Sequence, residues 1–207
     1  MFKTIVRPLL NFLFPVPDIV NSFESDPEHF LRTLPLAKPC ENCTCLFAYQ
    51  DDAVKQLIWE IKYYKNLKVA DSVGKLLAQK ILEKTNANES YILVPIPQTP
   101  KRLNERGFNH TKLIADAVLK YLPSHFSCSD SILRKIRNTP KQNSIENRAD
   151  RFKNIEGAFS VIDPHPFTNK NIIIIDDVVT TGATIGEAHR VLTQSQPHQI
   201  LSFALAH

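Results

Sequence analysis

Residues Ile172–Thr184 read IIIIDDVVTTGAT, and no other segment of the 207-residue chain is as informative. Four consecutive isoleucines predict a strand buried on both faces, as the central strands of parallel sheets are. Asp176 and Asp177 follow at the carboxyl end of that strand, the edge where open α/β sheets bind ligands. A hydroxyl-rich turn comes next, Thr180-Thr181-Gly182-Ala183-Thr184, leading into a predicted helix from Ile185 to about Gln194. This order of parts suits a sugar phosphate. Paired carboxylates accept hydrogen bonds from vicinal ribose hydroxyls. Backbone N–H groups and threonine hydroxyls at the positive end of a helix surround a phosphate.

Outward from this stretch the chain alternates strands and helices. Val54, Leu57, Ile58 and Ile61 recur at helical spacing, and a second helix is predicted over Val69–Glu83 with Val73, Leu76, Leu77 and Ile81 on one face. Tyr91–Pro95 reads as a buried strand ended by Pro95, Pro97 and Pro100. A helix follows from about Asn109 to Leu122, and further strands are predicted at Gly157–Ile162 and Ile200–Ala206. Such alternation implies right-handed crossovers and a parallel sheet flanked by helices. Residues 1–50 hold several prolines and little sustained periodicity, so they read as an irregular, partly helical N-terminal extension. Residues 51–207 read as one α/β domain.

The net charge of +4 and pI near 8.8 suit a phosphate-rich ligand without pointing to nucleic acid, which asks for a domain pI above about 9 and clustered cations. No apolar run approaches the ~20 residues of a membrane span. Met1–Phe14 is apolar with Lys3 and Arg7, but it lacks an uninterrupted apolar stretch and a small-residue cleavage site, so the expected location is cytoplasmic. Three of the four cysteines crowd into Cys40-Glu41-Asn42-Cys43-Thr44-Cys45, which fits a reducing compartment. Cys40-x-x-Cys43 is half of a zinc site. With no second C-x-x-C to supply four ligands, free thiols are the expectation and zinc is not.

Two cationic stretches stand where a phosphate site needs them. One leaves the strand at Val94-Pro95-Ile96-Pro97 and carries Gln98, Lys101, Arg102 and Arg106 before Gly107-Phe108-Asn109. Arginine suits phosphate oxygens because its planar fork donates in pairs. The other runs from Arg134 through Arg137 and Gln142 to Arg151 and Asn154, and reads as a mobile loop.

The IIIIDDVVTTGAT string resembles the 5-phosphoribosyl-1-pyrophosphate (PRPP) signature of type I phosphoribosyltransferases. Nearly the whole chain resembles the ComF family, phosphoribosyltransferase-like proteins tied to natural competence in bacteria. The resemblance rests on Ile61-Lys62-Tyr63, the VPIP strand end, Arg106-Gly107-Phe108-Asn109, the run from Thr139-x-x-Gln142 to Arg151-x-x-Asn154, Gly157-Ala158-Phe159 and the PRPP string. Two features depart from the family. Phe14-Pro15 is followed by Val16–Asn21 with no cysteine, so residues 1–50 resemble a degenerate zinc-ribbon region. The residue after RGFN, usually glutamine, is His110.

The resemblance implies a type I phosphoribosyltransferase-like fold and displacement of pyrophosphate from PRPP by a nitrogen acceptor, with Mg²⁺ on the pyrophosphate. It implies that Asp176 and Asp177 hold the ribose hydroxyls and assist the Mg²⁺ shell. Thr180, Thr181, Gly182, Ala183 and Thr184 would cradle the 5′-phosphate. Gln98, Lys101, Arg102 and Arg106 would face the pyrophosphate. Arg134, Arg137, Gln142, Arg151 and Asn154 would belong to a flexible lid. The acceptor base is not identified by any residue. A second reading stays open beside the transferase, a non-catalytic PRPP- or nucleotide-binding module of the DNA-uptake machinery that docks onto a competence helicase or another uptake protein. Direct DNA binding draws little support, since the 134–154 loop offers only Phe152 as an aromatic to interleave with its cations. Homodimers are common on this scaffold, although no sequence feature here speaks for one.

Overall fold

A computed structural model describes residues 17–137, 153–162 and 168–207. Its centre is the isoleucine strand, which runs over Asn171–Val178 (β6 in chain order). Ile172 and Ile174 enter one apolar cluster, Ile173 and Ile175 the other, and all four are fully buried. The period-two alternation of a strand makes that division, so an unbroken apolar run is what a strand covered on both faces requires.

Around it, β1 (Thr44–Phe47), β2 (Tyr91–Pro95), β3 (Phe126–Cys128) and β7 (Gln199–Ala206) complete a five-stranded sheet in the order β1-β7-β6-β2-β3, every pair parallel. Register sets Ile92 beside Ile172 and Ile173 beside Leu201. The parallel α/β sheet expected from the sequence is the sheet the chain builds. A separate antiparallel pair, β4 (Leu133–Lys135) and β5 (Phe159–Val161), matches Leu133 with Val161 and Lys135 with Phe159.

Helices cover both faces. On one, α3 (Asp52–Tyr64), α4 (Leu67–Leu82) and α6 (His110–Leu119) bury Ile61, Leu77 and Ile114 against Leu93, Ile173 and Phe203. On the other, α7 (Ala183–Thr193) and the β4–β5 pair bury Ile185, Leu192, Leu133 and Phe159 against Val94, Ile172 and Ile174. Caps decide where these helices start. Asp51 accepts from the Ala53 and Val54 amides, and Asn66 accepts from Val69. At Gly74 a Cβ would lie 2.8 Å from the Ala117 Cβ, so the glycine is what lets α4 lie against α6. Among the described residues no helix is long and apolar enough to cross a membrane.

The division at residue 50 needs correction. Two short helices, α1 (Pro17–Ser25) and α2 (Pro27–Thr33), precede it, and Phe23, Leu31 and Leu34 join the main apolar cluster. β1 lies before residue 50 and is an edge strand of the main sheet, Thr44 pairing with Phe203 and Phe47 with Ala206. A four-residue strand of sequence TCLF is too short to declare a period, and its pairing comes from a partner at the far end of the chain.

Candidate functional site

β6 carries its regular pairing past the isoleucines, and Asp176 sits beside Ala204 of β7. The acid pair therefore lies within the strand's carboxyl end, both residues less than a tenth exposed. The Asp177 amide donates to Asp176 Oδ1 at 2.9 Å. The two carboxylates have unlike surroundings. Lys62, from the last turn of α3, forms an ion pair with Asp177 Oδ2, and His110 Nε2, from the first turn of α6, lies 3.4 Å from the same oxygen. Burial pushes the Asp177 carboxyl up, but Lys62 and His110 outweigh it and hold the group well below the usual carboxylate range. Burial and the neighbouring Asp177 charge push Asp176 well above that range. Burial works against the Lys62 ammonium too, but Asp177 outweighs it and keeps the group charged, whereas burial drives His110 down toward its neutral form.

Arg106, Tyr63 and Trp59 back this group. Arg106 Nη1 lies 3.1 Å from His110 Nδ1, its guanidinium carbon sits 4.8 Å from the Tyr63 ring centroid, and its Nη2 donates to the Tyr63 hydroxyl at 3.4 Å. Trp59 packs on Tyr63 at 4.3 Å between centroids. The RGFN segment supplies the local punctuation. Gly107 ends α5 (Pro100–Arg106) in the left-handed conformation at φ 78°, and Asn109 caps α6 by accepting from the Thr111 amide. The Asn109 amide and Thr111 hydroxyl both donate to the Ile96 carbonyl, which ties α6 to the chain leaving β2.

The hydroxyl-rich turn follows directly. Val179 N donates to Ala206 O at 2.9 Å, which anchors the turn to β7. The helix starts at Ala183, two residues before the expected Ile185, so Thr184 lies in its first turn. Gly182 is the N-cap at φ 76° and has no side chain to offer the first-turn amides. Thr181 Oγ1 accepts from Ala183 N at 3.4 Å, while the buried Thr180 Oγ1 has no hydrogen-bond partner among the described residues. The positive end of a helix beside a buried, unsatisfied hydroxyl suits a phosphate.

Of the expected pyrophosphate-facing residues, Gln98 and Arg102 are half-buried and Lys101 is exposed on α5, whose N-cap Thr99 accepts from Arg102 N. Arg106 is engaged by Tyr63 and His110 instead. Of the expected lid, Arg134 is exposed on β4, and Arg137 donates to the Asn154 and Glu156 carbonyls. Gln142 and Arg151 lie outside the described residues. Between Arg134 and Arg137 stands Lys135, 8% exposed, its ammonium 5.4 Å from the Phe159 ring centroid. Burial, with Arg102 nearby, pushes it down to about 8, while Asp176 pulls the other way. The β4–β5 pair is fastened to α7, because Glu187 Oε1 accepts from Gly157 N at 2.8 Å.

Cys40 and Cys43 face each other across an antiparallel bridge as free thiols, and the Cys43 thiol is pushed up by its contact with Cys45 and by burial. Among the described residues no three His, Cys, Asp or Glu side chains converge as a metal cluster.

Lys62, His110 and Lys135 are site residues that the sequence alone did not assign a role. Lys62 and His110 were visible only as features of a family resemblance, and Lys135 was one cation in a charged run.

No family model matches the chain. Three curated relatives are the DNA utilization protein YhgH of Escherichia coli (strain K12), 26% identical over 142 residues, the competence protein F of Haemophilus influenzae, 21% over 183 residues, and the competence protein ComFC of Bacillus subtilis, 28% over 156 residues. These alignments cover 67%, 82% and 75% of this chain, and 60%, 79% and 60% of the respective relatives. The chain thus spans about three-fifths of the length of the YhgH proteins it matches. These relatives bear out the resemblance to the ComF group. Solved structures similar to the chain include a hypoxanthine phosphoribosyltransferase from Staphylococcus aureus (TM-score 0.43, 13% identity, 66% of this chain and 61% of that one) and a hypoxanthine-guanine phosphoribosyltransferase from Bacillus anthracis (TM-score 0.43, 12% identity, 66% of each).

Proposed function

We propose that the chain binds PRPP at the carboxyl end of β6 and transfers its 5-phosphoribosyl group to a nitrogen acceptor with release of pyrophosphate, in the service of DNA uptake. The observation that carries this reading is the junction of the buried Asp176–Asp177 pair with the N-terminus of α7 and the Thr180 hydroxyl, which has no hydrogen-bond partner among the described residues. Ribose hydroxyls would donate to Asp176 and Asp177, and the 5′-phosphate would take the amides and hydroxyls of Thr180–Thr184. Gln98, Lys101 and Arg102 would meet the pyrophosphate together with the buried Lys135 ammonium. In the transfer the acceptor nitrogen's lone pair forms the bond to C1, the C1–oxygen bond breaks with its electrons leaving on pyrophosphate, and the proton from the nitrogen passes to the departing pyrophosphate or to water. The transition state is cationic at C1, so the buried carboxylates beside it are electrostatically useful.

Mg²⁺ fits the residues present. Asp177 already has Lys62 and His110, whereas Asp176 is a buried hard-oxygen donor whose raised proton affinity would be relieved by a cation. Asp176 would hold the ion's shell beside Asp177, with the ligand's phosphates as the main donors. The bound ion would neutralise charge developing on the departing pyrophosphate.

Calorimetric titration with PRPP, with and without Mg²⁺, tests the reading beside an Asp176→Asn, Asp177→Asn variant verified as folded by circular dichroism. Mg²⁺-dependent binding that disappears in the variant supports it, and a screen of nitrogen bases for pyrophosphate release follows. Unchanged affinity in the variant refutes the ribose assignment.

The three relatives are named for competence and DNA utilization and not for a transferase activity. That favours, as a second reading, a non-catalytic PRPP- or nucleotide-binding module that docks onto an uptake protein. PRPP binding without pyrophosphate release for any base would select it.

A further inference from the structure

His110 is buried between two groups that constrain its ring from opposite sides. Its Nε2 lies 3.4 Å from Asp177 Oδ2, a carboxylate oxygen that can only accept while ionised. Its Nδ1 lies 3.1 Å from Arg106 Nη1, and a guanidinium can only donate. One proton distribution satisfies both contacts: Nδ1 bare, to accept from Arg106, and Nε2–H, to donate to Asp177. A proton on Nδ1 would set N–H against N–H and leave Asp177 without this donor.

Arg106 is not free to turn away. Its guanidinium carbon lies 4.8 Å from the Tyr63 ring centroid, Nη2 donates to the Tyr63 hydroxyl, and Trp59 packs against Tyr63 in turn. Trp59 and Tyr63 stand one helical turn apart on α3, the helix that also delivers Lys62. Helix α3 therefore reaches Asp177 by two routes, directly through Lys62 and indirectly through Tyr63, Arg106 and His110. Trp59 and Tyr63 are each more than a third exposed, and an aromatic pair on a solvent face has no core to fill.

We infer that His110 is a positioning residue that carries its proton on Nε2 alone, and that the Trp59–Tyr63–Arg106 stack fixes this tautomer and so the orientation of Asp177 toward ligand. The consequence for binding rests on the PRPP reading above, whereas the tautomer does not. A glutamine at 110 offers the same pair of functions, a carbonyl to accept from Arg106 and an amide to donate to Asp177. An alanine offers neither.

The test uses the full chain in two measurements. Nitrogen-15 NMR of the His110 ring should give a protonated Nε2 and an unprotonated Nδ1 in the wild type. Arg106→Met, a change at a half-buried side chain, should convert that to a mixture of tautomers. PRPP titration should then find His110→Gln within about threefold of the wild type and His110→Ala weaker by about tenfold or more, the scale of one charge-assisted hydrogen bond, with both variants verified as folded. A protonated Nδ1 in the wild type, a ring indifferent to Arg106→Met, or His110→Ala binding as tightly as the wild type would overturn the inference. A wild type with the expected tautomer and no affinity for PRPP would refute the functional reading and leave the Arg106–His110–Asp177 assignment standing on the spectrum.

Discussion

Lys62 and Asp177 form an ion pair between the last turn of α3 and the carboxyl end of β6, and His110 shares the same carboxylate oxygen. The pair gives the two aspartates opposite characters although they are neighbours in sequence.

Removing one member of a buried ion pair strands the other charge. Lys62→Met should destabilise the protein by roughly 3 kcal/mol. Lys62→Met combined with Asp177→Asn should cost clearly less than the sum of the single changes, since neither leaves an orphaned charge in the other's presence. Urea unfolding of the four proteins at one pH measures the coupling, and additive costs would mean the pair contributes nothing.

The acid titration should carry opposite signs at the two positions. Asp177 is held below the usual range, so it contributes stability that is present above the ordinary carboxylate pKa and is lost as pH falls toward its folded value. Asp176 is pushed up, so its burial costs nothing below the ordinary carboxylate pKa and becomes a penalty as pH rises from there toward its raised folded value. Asp176→Asn should therefore stabilise the ligand-free protein at neutral pH, and Asp177→Asn should destabilise it. Melting temperatures of the two variants from about pH 4 to pH 8 separate them.

Lys135 is a buried ammonium whose pKa falls from 10.5 to about 8, first through burial and then through Arg102. The unfolded chain binds this proton more tightly, so wild-type stability should rise as pH climbs from about 8 toward 10.5. Lys135→Met keeps the volume and removes the penalty. It should stabilise the ligand-free protein by roughly 1–3 kcal/mol near neutral pH, abolish that rise, and weaken PRPP binding. Urea midpoints at two pH values and one titration report all three, and unaltered PRPP affinity would remove Lys135 from the pyrophosphate group.

At Gly182 the backbone is left-handed at φ 76°, and an added Cβ would meet nothing within 4 Å. Gly182→Ala should then cost about 1–2 kcal/mol from the backbone alone. If the turn holds a phosphate, PRPP affinity should fall as well, because a strained N-cap re-aims the first amides of α7. Thermal melts with parallel titrations distinguish the two, and a loss of stability with affinity intact would limit the glycine to shaping the turn.

The main architecture was legible where the chain signals a period. Ile172–Ile175 announced a doubly covered strand, and Val54, Leu57, Ile58 and Ile61 announced α3. Prolines obscured α5: Pro100 reads as a strand terminator, yet it occupies the first helical turn, where its missing N–H costs nothing. β1, β3 and β4, of three or four residues each, have too few positions to declare alternation. The acid pair and the threonine turn were legible because they are contiguous. Lys62 and His110 come to Asp177 from two other helices, a convergence that only tertiary packing creates. Lys135 and Arg134 look alike in a charged run, and strand alternation alone buries one and exposes the other.

The edge position of β1 bears on how the protein can be handled. Beyond it the sheet is sealed by Pro35–Ala37, through Ala37 N to Leu46 O and Ala48 N to Pro35 O. A truncation at residue 50, which looks harmless by composition, would strip both layers and leave the backbone of QILSFALA, one of the most apolar strands of the chain, facing solvent along its length. Such an edge is a template for another chain's strand, so the shortened protein is expected to self-associate, and its failure in solution would say nothing about ligand chemistry.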